Sequence, residues 1–215
     1  MSIRILLADD HNLFRQGLRR IIEAQPGLEV IAEASSGLEA VELAKLHKPD
    51  VAVMDIAMKD LNGIEATAQL LRHCPETAVL ILSMYSDERY VVRAVRFGAR
   101  GYVLKDTVEE GLIEAIQQVA QGQAFFSPVV ARILQEAHAR EFNGQRVDDR
   151  YETLTERERQ LYHMLAEGQN NKDIANRLAL SLHTVETHRT RIMEKLGVHS
   201  IAELVLSAVR RGIVV

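Results

Sequence analysis

Through the first 122 residues of this 215-residue chain, short apolar runs alternate with longer stretches in which apolar residues recur every three to four positions. The short runs are "IRILLAD" (3–9), "LEVIAEA" (28–34), "VAVMD" (51–55), "AVLILSM" (78–84) and "GYVLK" (101–105), and each predicts a β-strand. Four of them are nearly continuously apolar, which suits a parallel sheet covered on both faces. The segments between them are long enough for crossover helices. Leu13, Leu18, Ile21 and Ile22 mark the first helix, and Leu112, Ile116 and Val119 the fifth. Five βα units in a row predict a doubly wound α/β domain: a five-stranded parallel sheet with right-handed crossovers.

After Gly122 the pattern changes. "SPVVARILQEAHAR" (127–140) reads as a helix begun by Ser127, with Pro128 in its first turn, and the polar, turn-rich "EFNGQRVDDRYE" reads as an interdomain linker. From Thr153 onward only helices are expected. Thr155 and Glu158 form a capping box, and further helices start near Asn171, Ser181 and Ser200. The predicted division is residues 1–122, a linker with one helix over 123–150, and an all-α domain over 151–215.

Charge sharpens this division. Residues 1–122 carry 13 Lys and Arg against 18 Asp and Glu, a balance of −5, whereas residues 151–215 carry 9 against 8, a balance of +1. The two ends therefore face different partners, and the C-terminal one is not strongly basic. Cys74 is the single cysteine, which excludes an internal disulfide framework and a cysteine-rich zinc site. No apolar run approaches the length of a membrane span, and "MSIRILLADD" lacks the pattern of a signal peptide. A cytoplasmic protein without membrane association is expected.

The strand ends carry the chemistry. Ligands of an open parallel sheet bind beyond the carboxyl ends of the strands, where strand order reverses. Asp9 and Asp10 follow the first strand, Asp55 ends the third, Ser83 lies near the end of the fourth and Lys105 ends the fifth. Crowded carboxylates need a counter-charge, and hard oxygen donors suit Mg²⁺. A nucleophilic carboxylate, acids for a metal, a cation and a hydroxyl are what phosphoryl transfer onto Asp55 requires. Any one of these residues alone has a plain structural use, since acids at strand ends often cap the next helix. Their order along five strands carries the reading.

"LLADDHNLFRQGL", "VAVMDIAMKDLNGIEA", "ILSMYS" and "ARGYVLKD" resemble the receiver domain of two-component response regulators over about the first 120 residues. The resemblance implies a flavodoxin-like fold with Asp55 as phosphoacceptor. It implies Mg²⁺ held by Asp9, Asp10, Asp55 and the backbone carbonyl of Ala57, and a signal relayed by Ser83, Lys105 and Tyr102. Two positions depart from the common receiver pattern. Lys59 stands where a proline is usual, which predicts a less constrained loop. Asp106 follows Lys105 where a cis proline is common, and a cis bond there would cost roughly 2.5 to 4 kcal/mol. Ala57 and Tyr85, two positions after Asp55 and Ser83, offer no group to orient an attacking water, so a slowly hydrolysing phosphoform is expected.

In residues 154–205, Ile174 with Leu178, and Val185 with Ile192 and Leu196, give successive helices their own apolar stripes. "ALSLHTVETHR" joins two helices through a short turn, as a helix-turn-helix does, although on pattern alone a helical bundle for protein contacts is nearly as good a reading. The segment resembles the LuxR-type DNA-binding domain, and the whole chain resembles regulators of the NarL/FixJ type. The resemblance implies that 182–196 is a recognition helix. His183, Thr184, Glu186, Thr187, Thr190 and Arg191 lie on or near its exposed face, with Arg189, Asn171 and Lys172 available to phosphates; His188 is assigned to the core. Glu186 is unusual where lysine is common; a carboxylate repels phosphate but accepts from cytosine N4.

The function implied is a phosphorylation-gated transcriptional regulator that takes a phosphoryl group from a sensor histidine kinase and binds promoter DNA as a dimer. It is expected to be no enzyme beyond assisting its own phosphorylation and dephosphorylation. A metal-dependent phosphohydrolase is the rival of another class, and it lacks a second acid to serve as general base near Asp55. A regulator gated by a small molecule is a third reading, but the first domain offers an acid cluster in place of a pocket.

Overall fold

The computed structural model describes residues 2–142, 150–210 and 213, and the chain divides into two compact units between residues 144 and 145. In the first unit the strands are β1 (Ile3–Ala8), β2 (Leu28–Ala34), β3 (Val51–Met54), β4 (Ala78–Ser83), β5 (Gly101–Leu104) and the short β6 (Phe125–Phe126). Five helices alternate with them: α1 (Asn12–Glu23), α2 (Gly37–His47), α3 (Gly63–His73), α4 (Glu88–Arg96) and α5 (Val108–Ala120). The strands pair in the order β2-β1-β3-β4-β5-β6, all parallel, so the order reverses between β1 and β3.

Alternation along each strand feeds two cores. Leu6 and Ala8 of β1 face α2, α3 and α4, while Ile5 and Leu7 face α1 and α5. Because both faces are covered, β3, β4 and β5 are buried throughout, and this explains their unbroken apolar sequence.

Two sequence expectations change here. Helix α1 buries Leu18 and Ile22 and packs Phe14 beside them, whereas Leu13 is 88% exposed and Ile21 38%. The stripe that faces the sheet runs 14, 18, 22, four apart, and Leu13 and Ile21 lie off it. Residues 123–142, expected to belong to a linker, instead complete the first unit. Strand β6 makes the sheet six-stranded, and helix α6 (Pro128–Phe142) buries Val130 fully, with Ile133 and Leu134 against the same core as Tyr90 and Tyr102. Val130, Ile133 and Leu134 form an i, i+3, i+4 stripe that only burial satisfies. Arg140 of α6 also pairs with Glu88 of α4 at 2.5 Å. Residues 143–149 of the expected linker lie outside the described residues.

The second unit holds α7 (Glu156–Ala166), α8 (Asn171–Arg177), α9 (Leu182–Leu196) and α10 (Ile201–Arg210). The capping box of Thr155 and Glu158 starts α7, as the sequence predicts. Ile174, Val185, Ile192 and Leu204 are wholly buried, so each of the later helices contributes to one core. Tyr162 of α7 hydrogen-bonds Ser207 of α10 at 2.8 Å, and Lys195 of α9 pairs with Glu158 at 2.6 Å. The α8–α9 turn passes through Ala179 at φ 50°, a left-handed conformation that costs a non-glycine residue roughly 1 to 2 kcal/mol. Packing of the two helices offsets that cost and fixes their angle.

Candidate functional site

The reversal of strand order brings the ends of β1 and β3 side by side. Asp55 donates its N–H to Ala8 at 2.9 Å, and Asp9 donates its own to Ala34 at 3.1 Å, so backbone pairing continues one residue past each strand and fixes both aspartates. Asp9 and Asp55 are 1% and 3% exposed. Lys105 enters from the short turn after β5 and bridges them, with Nζ 2.7 Å from Asp9 Oδ2 and 2.8 Å from Asp55 Oδ2. Phe14 of α1 lies under the ammonium, its ring centroid 4.6 Å from Nζ. Three residues separated by 46 and 50 positions thus share one ion-pair network.

The charges are not balanced within it. Burial pushes the Asp55 carboxyl above its ordinary range, with the Asp9 charge adding to the rise, and the pull of Lys105 does not cancel them. Burial alone would lower Lys105, but pairing with Asp55 and Asp9 outweighs it and holds the ammonium above its usual range. One cation serving two buried carboxylates leaves room for more positive charge.

Asp10 Oδ1 is buried without a hydrogen-bond partner, next to the bridged pair. Oxygens of Asp9, Asp10 and Asp55 and a nitrogen of His11 lie within 4.8 Å of one another. Three carboxylates with an unshared oxygen fit a hard divalent cation. Ala57 follows Asp55 in the adjoining loop and is half-buried.

That loop, residues 55–62, is tightly held. Its Gly63 N–H donates to Ile56 at 3.0 Å, and Lys59 pairs with Ser36 in an isolated parallel bridge. A Cβ at Gly63 would stand 1.9 Å from the Asp55 carbonyl oxygen, and one at Gly37 2.0 Å from that of Leu61. At Lys59, where a proline would fix φ, the loop is held by the bridge to Ser36 and by the close backbone approaches at Gly37 and Gly63. The bond after Lys105 is trans, with no cis peptide among the described residues.

On the far side of Asp55, Ser83 is fully buried and its Oγ accepts the Tyr85 N–H at 3.1 Å. Tyr102 is also fully buried and donates its hydroxyl to the Tyr85 carbonyl at 2.5 Å. Burial pushes its phenol well above the ordinary range. The Tyr85 ring stacks on Tyr90 of α4, centroids 4.9 Å apart, so one residue touches Ser83, Tyr102 and α4. The Tyr85 phenol is pushed above its ordinary range by burial and by the Asp55 charge, partly opposed by Lys105.

The second unit presents a different surface. On α9, His183, Glu186, Thr190 and Arg191 are exposed, and Thr184, Thr187 and Arg189 are half-buried; on α8, Lys172 is exposed and Asn171 half-buried. Thr187 and Thr190 donate their hydroxyls to the carbonyls of His183 and Glu186, at 2.9 and 3.1 Å, so outward they offer lone pairs only. Glu186 forms no ion pair among the described residues; the arginines near it are not its partners. His188, expected in the core, is half-buried, with Nδ1 inside and unbonded. Of the apolar residues on α10, Leu204 is in the core, while Leu206 and Val209 are 48% and 45% exposed. The residues that the sequence did not single out are His11, beside the acidic pair, and Phe14, under Lys105; both lie in the segment "DDHNLF", and only the fold turns them toward the site.

Residues 5–117 match the family described as response regulator receiver domain, and residues 152–208 the family described as bacterial regulatory proteins, luxR family. Transcriptional regulatory protein DegU of Brevibacillus brevis is 37% identical over 98% of this chain and 94% of its own length. Response regulator GacA of Pseudomonas aeruginosa is 38% identical over 99% of this chain and 98% of its own. The crystal structure of a LuxR-family two-component response regulator from Aurantimonas sp. SI85-9A1 superposes with a TM-score of 0.62 at 35% identity, over 65% of this chain and 99% of that one. No helix among the described residues is long and apolar enough to cross a membrane.

Proposed function

The chain belongs to the response regulators that join a receiver domain to a LuxR-type DNA-binding domain, regulators of transcription, and from that membership we propose that phosphorylation of Asp55 gates its binding to promoter DNA. The observation that carries this reading is the bridge from Lys105 to both Asp55 and Asp9. The phosphoryl donor is the phosphohistidine of a sensor histidine kinase. An oxygen of Asp55 forms a bond to phosphorus as the bond to the histidine nitrogen breaks, giving an acyl phosphate on Asp55.

Lys105, pre-oriented between the carboxylates, is poised to move onto a phosphoryl oxygen as Asp55 loses its negative oxygen to the new bond. Asp9, Asp10, Asp55 and the Ala57 carbonyl would hold Mg²⁺, which supplies further positive charge against the phosphoryl oxygens. Ser83 donates its hydroxyl to the phosphoryl group while still accepting from Tyr85, so its displacement draws on the Tyr85 backbone and through it on Tyr102. Lys105, Ser83 and Tyr102 thus report the state of Asp55.

In the second unit α9 is the recognition helix for double-stranded DNA. His183, Thr184, Glu186, Thr187, Thr190 and Arg191 reach base edges, and Arg189, Asn171 and Lys172 reach phosphates. A formal charge of +1 over residues 151–215 supplies few cations per module, so two modules must bind together, as a homodimer formed on phosphorylation. Exposed Leu206 and Val209 of α10 offer apolar surface for that pairing.

Intact-mass analysis after acetyl-phosphate treatment with Mg²⁺ tests the first part: one phosphoryl adduct is expected, and none in Asp55→Asn. An adduct surviving that substitution overturns the assignment. Sedimentation and DNA titration on the same sample test the second; monomers that bind DNA equally well with and without phosphate overturn the gating.

A further inference from the structure

The residue after the acidic pair has no structural task that explains it. His11 occupies the N-cap of α1, where Ser, Thr, Asp or Asn would accept a backbone N–H, yet its side chain makes no capping bond. Its ring is 69% exposed, so it does not build the core either. What its backbone does is tie the site together, since the His11 N–H donates to Asp9 Oδ1 at 2.8 Å and fixes where the residue stands.

The imidazole turns toward the acids. Nδ1 lies 2.8 Å from Asp10 Oδ1 and 3.4 Å from Asp9 Oδ1. The shorter approach makes no hydrogen bond of good geometry, and it sets the ring nitrogen and the buried Asp10 oxygen as close as two donors of one ion stand. Neighbouring donors of an octahedral ion with bonds of about 2.1 Å stand about 3.0 Å apart, close to both separations.

We propose that His11 Nδ1 is a ligand of the divalent cation at the Asp10–Asp55 site, and that it makes this site prefer cations with affinity for nitrogen, Mn²⁺ and its heavier neighbours, over Mg²⁺. An imidazole adds little for Mg²⁺, which prefers oxygen and keeps its waters, and more for each later first-row ion. The proposal rests on the phosphoacceptor reading, because that reading places a cation among Asp9, Asp10 and Asp55. It goes further in assigning a residue that sets which cation.

The test uses the full chain with Mn²⁺, whose unpaired spins report directly on a coordinated nitrogen. Pulsed electron paramagnetic resonance should show coupling to one imidazole nitrogen in the wild type. The coupling should vanish in His11→Ala and in His11→Asn, the second of which keeps an oxygen donor and supplies a proper helix cap. Mn²⁺ affinity should fall about tenfold in His11→Ala, on the scale expected for disturbed ligation, while Mg²⁺ affinity changes less than about twofold. Bound Mn²⁺ with no nitrogen coupling, or nitrogen coupling that persists in His11→Ala, overturns the role of His11 and leaves Asp55 as phosphoacceptor. If neither cation binds and acetyl phosphate fails to label Asp55, both readings fall together.

Discussion

The two ends of the molecule solve opposite problems. At the end of the sheet, Asp9, Asp55 and Lys105 are almost wholly buried, the two aspartates fixed by backbone pairing and bridged by the lysine. Along α9 the side chains of Glu186, Thr190 and Arg191 stand in solvent, with hydroxyls turned back into the helix and no ion pair on Glu186 among the described residues. A buried site must be complete before its ligand arrives, because unpaired charge is costly there. An exposed face needs no such completeness, and its meaning lies in the partner it meets. The first end should therefore be sensitive to single atoms, and the second should respond in small, additive, salt-dependent steps.

The severest break of that contrast is Gly63→Ala. The added Cβ would stand 1.9 Å from the Asp55 carbonyl oxygen, so either the loop or α3 must move. A loss of about 3 kcal/mol or more is expected, with acetyl-phosphate labelling falling alongside. Urea titration of the first unit measures it, and wild-type stability with wild-type labelling would show that the loop is not pinned.

Next in size is the lifetime of the acyl phosphate. Ala57 carries no group to position water, and Tyr85, its ring stacked on Tyr90, offers no amide or carboxylate to do so. Ala57→Asn should speed loss of the phosphoryl group by about tenfold, less than the roughly 100-fold of a positioned general base, because an amide orients water without taking its proton. Loss of the mass adduct over time reads this out; an unchanged rate would show that an amide at residue 57 does not orient the water.

A smaller effect concerns stability. The Asp55 carboxyl titrates above its ordinary range in the folded protein, so between the two values the folded state holds a proton that the unfolded state has shed. Stability without Mg²⁺ must then fall as pH rises through that window, because ionising the buried carboxyl costs more in the folded protein than in the unfolded chain. Asp55→Asn should flatten this slope and raise stability by about 1 kcal/mol at pH 7, leaving Lys105 paired to Asp9. Thermal melts across pH measure both, and added Mg²⁺ should shrink the difference.

The mildest change is Glu186→Lys on the exposed face. It should leave the melting of the second unit within about 0.5 kcal/mol and tighten DNA binding at low salt. The slope of log affinity against log salt should steepen by about one. A steeper slope would show that a lysine at 186 also reaches a phosphate, and an unchanged slope would confine residue 186 to the base edges.

Much of the first unit was legible because its strands are buried on both faces and therefore write themselves as unbroken apolar runs ending in acids. Asp9, Asp55, Ser83 and Lys105 fall at those ends, and strand order alone brings them together. The α1 stripe was harder: Leu13 and Ile21 are as apolar as Leu18 and Ile22, and only the direction of the helix over the sheet separates them. His11 was hidden for another reason. A histidine after two aspartates has no periodic signature, and its relation to the acids appears only once the turn into α1 is formed. On α9, the apolar stripe of Val185, Ile192 and Leu196 was plain, but His188 falls at its margin, half in and half out, where an imidazole's intermediate polarity gives no direction.

Helix α6 has a consequence for anyone who would exchange the output of this regulator. A chimera spliced after Gly122, where the sequence pattern changes, would strip Phe126, Val130, Ile133 and Leu134 from the core that holds Tyr90 and Tyr102. The donor protein would then have to supply a helix that fits α4 and an arginine for Glu88. Grafts made after Phe142 carry that cover with them, so the transferable module is the sheet together with its sixth strand and sixth helix.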